Sequence, residues 1–178
     1  HGAGIFIGDV SNATFSDGVI TGNTATGYGG GVYACESRET TFTMTGGNIN
    51  ENTATYGGAI SLEKATVNIT GGYIDSNVAT EGGGCHVRNG GKLNITDGNF
   101  MNNTATEGAG VYAYGNNEYN RVIVTISGNT EIMNNIATGN GGGIGTKDYV
   151  TINLSDGMVR DNEALNGGGV YMDNTNTN

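Results

Sequence analysis

With 178 residues, the chain is long enough for one domain with a sizeable core. Seventeen acidic residues against seven basic ones give a net charge of −10, which argues against nucleic-acid binding, because phosphate neutralisation needs a surplus of Lys and Arg. No apolar run is long enough to cross a membrane as a helix, and the 34 glycines recur periodically, so they signal a repeat rather than disorder.

The chain opens on Gly2-Ala-Gly-Ile-Phe6, the tail of a unit that then returns six times. Its fullest form is Asn103-Thr-Ala-Thr-Glu-Gly-Ala-Gly-Val-Tyr112. The other copies run over 23–33, 52–60, 77–85, 135–144 and 162–171. Taking the third residue of each glycine triplet as a marker gives Gly4, Gly31, Ala59, Gly84, Gly110, Gly143 and Gly169, spaced 27, 28, 25, 26, 33 and 26 residues apart. Periods of this size mean a solenoid. The segments alternate with a period of two, which excludes helical repeats.

Alternation holds column by column. One residue past the markers stand Ile5, Val32, Ile60, Cys85, Val111, Ile144 and Val170; three past stand Ile7, Ala34, Leu62, Val87, Ala113, Thr146 and Met172. Both columns are expected to face inward. A second strand carries Phe42 and Met44, Val67 and Ile69, Leu93 and Ile95, Val124 and Ile126, Ile152 and Leu154. A third strand supplies Ile20, Ile49, Ile74, Phe100, Ile132 and Val159, and Asn-x-Ala follows. Asp17-Gly, Asp97-Gly and Asp156-Gly recur at one position and read as turns rather than calcium ligands.

Three short strands per coil make an all-β, parallel β-helix of about six coils plus partial ends, right-handed by the crossover preference. The whole chain, 1–178, is read as one such module and as a segment of a larger protein. Asn23, Asn52, Asn77, Asn103, Asn135 and Asn162 are expected to form an amide ladder along the axis. The glycines permit sharp turns and should leave a smooth strip on the outside. Cys85 falls in an inward column and Cys35 in an outward one, with a whole coil between theirs, so both thiols are expected to be free. No Cys/His spacing suits zinc, and no cofactor is expected.

Gly-Gly-(Gly/Ala)-Ile/Val with Asn-x-Ala resembles the repeats of chlamydial polymorphic outer-membrane proteins and of large surface proteins of anaerobic gut bacteria. The likeness covers essentially the whole chain and implies a parallel β-helix outside the cytoplasm, extracellular or on a bacterial cell surface. The architecture is also similar to β-helical carbohydrate-binding modules attached to xylan-degrading enzymes.

Function in a solenoid lives on outward columns and loops. Two past each marker stand Phe6, Tyr33, Ser61, His86, Tyr112, Gly145 and Tyr171; four past stand Gly8, Cys35, Glu63, Arg88, Tyr114, Lys147 and Asp173. Six of the seven basic residues, Arg38, Lys64, Arg88, Lys92, Arg121 and Lys147, lie at or just after this face, with Glu36, Glu39, Glu63, Glu118 and Asp148 beside them. The longest repeat holds its extra residues here, at 114–121, and such insertions commonly mark a binding face.

The pattern predicts a non-catalytic module binding a plant cell-wall polysaccharide, xylan best of all. Tyr33, His86, Tyr112, Tyr114 and Tyr119 would stack on sugar rings, while Glu63, Arg88, Glu118, Arg121 and Lys147 would orient hydroxyls or uronic acids. The tyrosines are equally at home in strands, and the alternative is a spacer or adhesin passenger segment with a solvated, salt-bridged edge. A polysaccharide lyase or glycosidase would need paired carboxyls, for which Glu36, Glu63 and Glu118 are the available groups. Thr26, Thr55, Thr80, Thr106 and Thr138, with Thr24, Thr53 and Thr104 beside them, form an outward array like that of ice-binding β-helices, although Thr also simply favours strands.

Overall fold

Strand pairing follows the repeat columns residue for residue. The computed structural model describes residues 2–35 and 39–173; Glu36 and Arg38 lie outside them. The first sheet has seven parallel strands, Ile5–Ile7, Val32–Ala34, Ile60–Glu63, Cys85–Arg88, Val111–Tyr114, Ile144–Lys147 and Val170–Asp173, stacked in that order. A second sheet stacks Asn12–Phe15, Thr41–Met44, Thr66–Ile69, Lys92–Ile95, Val122–Ile126 and Val150–Leu154. The third stacks Val19–Thr21, Asn48–Asn50, Tyr73–Asp75, Asn99–Met101, Glu131–Met133 and Met158–Arg160. The chain is thus an all-β parallel solenoid of about six turns.

The register is the one that burial requires. Ile5, Val32, Ile60, Cys85, Val111, Ile144 and Val170 pair in a single row. A one-residue slip would turn this whole row to solvent. Phe42, Met44, Ile49, Ile69, Leu93, Ile95, Phe100 and Ile132 are fully buried between the three sheets.

The corner after the third sheet is held by the asparagines. The backbone N–H and Nδ2 of each donate to the Oδ1 of the Asn one coil on, from Asn23 to Asn162, at 2.9–3.1 Å. Nδ2 of Asn52, Asn77, Asn103, Asn135 and Asn162 also reaches back to a third-sheet carbonyl at 2.8–3.0 Å. Each buried amide therefore uses its donors and acceptor in full, as burial of polar groups demands. The residue before each ladder Asn bends into the left-handed region, with φ of 54–68° at Gly22, Glu51, Ser76, Asn102, Asn134 and Asp161.

Two expectations about small residues are corrected. The glycine triplets are no exposed strip: Gly30, Gly31, Gly58, Gly83 and Gly84 are buried. A Cβ at Gly31 would meet Ile49 Cγ2 at 2.7 Å and the Ala59 carbonyl at 2.8 Å, so glycine is needed for close stacking of coils. Cys35, expected outward, is buried at 3 % exposure and Cys85 is fully buried; neither is in a disulfide. Burial pushes the Cys85 thiol far up, so it behaves as a small core hydrophobe.

Beyond the ladder the Thr positions form a fourth, narrow face. Thr24, Thr26, Thr53, Thr80, Thr104, Thr106 and Thr138 are exposed there, with Val78 and Ile136 among them.

Candidate functional site

The outward side of the first sheet is built from three parallel rows. Its floor is the strand row Phe6, Tyr33, Ser61, His86, Tyr112, Gly145 and Tyr171. One wall continues the same strands through Glu63, Arg88, Tyr114, Lys147 and Asp173. The other wall comes from the residues just before the glycine triplets: Tyr28, Tyr56, Glu81 and Glu107 bridge in sequence, followed by Asn140 and Asn166. The first glycine of each triplet has φ of 57–69°. That left-handed turn folds the preceding side chain back over the sheet, and a Cβ there would collide with the carbonyl three residues on.

In the first coils the walls close over the floor. Tyr28 stacks on Tyr33 at 5.4 Å and on Tyr56 at 4.9 Å, and Tyr56 meets His86 at 5.2 Å. Arg88 crosses from the opposite wall, its guanidinium carbon 4.3 Å from the Tyr28 ring centre and its terminal nitrogen donating to the Tyr28 hydroxyl at 2.7 Å. Glu63 holds the other side of the guanidinium at 2.6 Å and also accepts from Asn89 and Tyr33. This is a closed aromatic and ionic cluster.

In the later coils the wall residues change from Tyr to Glu and Asn, and the face opens. A depression of about 210 Å³ lies among Tyr56, Glu81, His86, Arg88, Tyr112, Tyr114 and Lys147. A second, of about 240 Å³, adjoins it and shares Glu81, Tyr112 and Lys147, adding Glu107, Asn140, Tyr171 and Asp173. Glu107 is tied to the Asn140 backbone N–H at 3.2 Å, and Asn166 donates to Asn140 at 2.8 Å. Lys147 is exposed and makes no ion pair among the described residues.

His86 sits between the halves, 2 % exposed. Its Nδ1 lies 3.5 Å from Ser61 Oγ and its Nε2 3.5 Å from Glu81. Burial lowers its pKa, against the raising pull of Glu81. The series Ser61–His86–Glu81 has the residue types of a hydrolytic triad, but Ser61 is fully buried and no substrate atom can reach it. Burial also acts to raise the Glu63 carboxyl, yet the hydrogen bonds from Arg88 and Asn89 outweigh it and hold the pKa below the usual range. Tyr112 is pushed up by burial and by the nearby carboxylates.

The sequence-predicted site divides accordingly. His86, Arg88, Tyr112, Tyr114 and Lys147 come together around one depression. The expectation that Tyr33, His86 and Tyr112 offer open rings is corrected: they are 6 %, 2 % and 7 % exposed. Neighbouring rings occupy their faces, with His86 and Tyr112 stacked at 5.9 Å. Glu63 and Arg88 are spent on each other rather than on a ligand. Glu118, Tyr119 and Arg121 line neither depression; the insertion folds into a single turn, Glu118–Asn120, capped by Asn117, with Tyr119 82 % exposed. The wall residues Tyr28, Tyr56, Glu81, Glu107 and Asn140 were missed, although counting three back from each marker finds all of them. Among the described residues no group of three or more His, Cys, Asp or Glu side chains is placed to hold a metal.

Comparison with known proteins gives one likeness. Residues 17–35 match the model of the Chlamydia polymorphic membrane protein (Chlamydia_PMP) repeat. The matched stretch is one repeat unit, from the turn before Ile20 through Asn23 and the glycine triplet to Cys35. No curated protein matches the chain, and neither does any solved structure. Over one repeat the chain is therefore similar to a family described as a polymorphic membrane protein, and the likeness to carbohydrate-binding modules gains nothing from these matches.

Proposed function

We propose that this chain is a passenger or spacer segment of a bacterial surface protein, a β-solenoid that extends outward and carries binding features on one face. The observation that carries the reading is the unbroken Asn ladder from Asn23 to Asn162, combined with a repeat similar to one from a polymorphic membrane protein. A stack of self-similar coils gives length with every backbone group paired along the axis, which suits reach rather than enclosure of a substrate. The low count of basic residues fits an exposed extracellular rod that repels its neighbours and stays soluble. Catalysis receives no comparable support, because Glu63 is committed to Arg88 and Asn89.

Antibody raised against this chain should label intact cells of the source bacterium, and protease added outside should remove the epitope. Labelling only after permeabilisation would overturn the reading. Polysaccharide recognition is the second reading, favoured by the adjoining depressions of the open half.

A further inference from the structure

The two ends of the solenoid carry the two sides of the contact that stacks each coil on the next. In the last described coil the inward columns lie bare: Val170, Leu154 and Met172 are 39 %, 48 % and 60 % exposed. Their partners one coil back, Ile144, Ile126 and Thr146, are buried. Three strand edges frame this surface, Val150–Leu154, Met158–Arg160 and Val170–Asp173, each the outermost strand of its sheet. The residues kept there are those that a stacked coil requires. A Cβ at Gly84, Gly110 or Gly143 would meet the carbonyl of the marker glycine one coil on at 2.5–2.6 Å, but at Gly169 it would meet nothing nearer than Val159 Cγ1 at 3.7 Å. Glycine thus stands at 169 although no described residue abuts it. The Asn ladder is open in the same direction. Each Asn gives its backbone N–H and Nδ2 to the Oδ1 of the Asn one coil on. Among the described residues the Asn162 backbone N–H has no acceptor and the Asn23 Oδ1 has no donor.

We propose that these ends join: the last coil of one copy of this chain seats the first coil of a second copy, continuing the solenoid without a covalent link. The first coil supplies the groups that the last one lacks. Asn23 Oδ1 accepts from Asn162, and the Gly4 carbonyl takes the space left at Gly169. Ile5 and Ile7 stack on Val170 and Met172, and Phe15 on Leu154, in the register that neighbouring coils already keep. Two last coils meeting face to face would set donor against donor at Asn162, so the contact joins unlike ends. Such a contact is heterologous and does not close, so it adds copies along one axis. The inference goes beyond the spacer reading by giving the rod a way to lengthen. It is tested on the purified chain, so its failure leaves the labelling result untouched.

The experiment is sedimentation velocity of the intact chain from micromolar to millimolar concentration, in enough salt to screen the repulsion of a net charge of −10. The mean mass should rise steadily with concentration and should not stop at a dimer. Met172→Lys blocks the last coil and Ala13→Lys the first; each should weaken self-association by about a hundredfold or more, because the contact would bury an unpaired charge. Met172 is exposed and Ala13 is half-buried in the outermost strand of its sheet, so both variants should keep the thermal midpoint within a few degrees. Mixed in equal amounts, the two variants should form a dimer and nothing larger, since one intact last coil and one intact first coil remain. An intact chain that stays monomeric throughout would overturn the proposal. Undiminished association of either variant would place the contact on the sides of the rod and overturn it too, as would a mixture of the two folded variants that stays monomeric.

Discussion

The two halves of the outer face share one backbone and differ most plainly in the row before the glycine triplets. Where the residue before the glycine triplet is Tyr28 or Tyr56, the ring lies over the floor, and Arg88 with Glu63 seals it. Where that residue is Glu81, Glu107 or Asn140, the same turn leaves a depression. A solenoid can therefore place a packed surface and an open one side by side without altering its coil. A column outside the strands sets the difference together with the Arg88–Glu63 pair, because an aromatic ring satisfies itself by stacking, whereas a carboxylate must stay near water.

The largest test removes what both halves stand on. Asn103→Ala would leave the buried backbone N–H of Asn77 without its acceptor and take one hydrogen bond each from Asn77 Nδ2, Asn135 Oδ1 and the Ile74 carbonyl. Unpaired buried groups cost about 1–3 kcal/mol each, so a loss of about 3–5 kcal/mol is expected, read as a fall in the denaturant midpoint. Because the ladder underlies both halves, tyrosine fluorescence and far-ultraviolet circular dichroism should report it together. A loss below about 1 kcal/mol would mean water replaces the amide.

A smaller effect should separate the halves. Tyr56→Ala removes a ring stacked on Tyr28 and touching His86, for which about 2 kcal/mol is expected. Glu107→Ala, two coils on in the open half, should stay within about 0.5 kcal/mol. Equal costs would erase the distinction between closed and open.

The smallest effect is in pH. The folded His86 has a lowered pKa because burial outweighs Glu81, with Arg88 lowering it further and Glu63 raising it. Below about pH 6.5 the unfolded chain takes up a proton that the folded chain refuses. Stability should fall as pH drops from that point, and the slope should vanish below the folded value. His86→Phe should lack this component between pH 7 and 5.5, measured as thermal midpoint against pH; an unchanged profile would place the titration elsewhere.

The coil was legible in the sequence because its signal is periodic. The columns at Ile5 through Val170 and at Asn23 through Asn162 pair as the alternation requires. The site was legible only in part. Alternation says that Tyr33, His86 and Tyr112 leave the core, and it is silent on what covers them. The cover comes from Tyr28, Tyr56 and Arg88, placed by a left-handed glycine turn and by a side chain crossing 60 residues of sequence. The insertion at 114–121 carried chemistry in its composition, yet its own turn, capped by Asn117, leaves Glu118, Tyr119 and Arg121 outside the depressions.

The most direct test of the division compares nitrogen-15 correlation spectra of the intact chain and of its Tyr56→Ala and Glu107→Ala variants. The account predicts that Tyr56→Ala shifts amides across Tyr28, Tyr33, His86 and Arg88, whereas Glu107→Ala shifts only the residues beside it, Asn140 foremost. Shifts of equal reach from the two variants would contradict it.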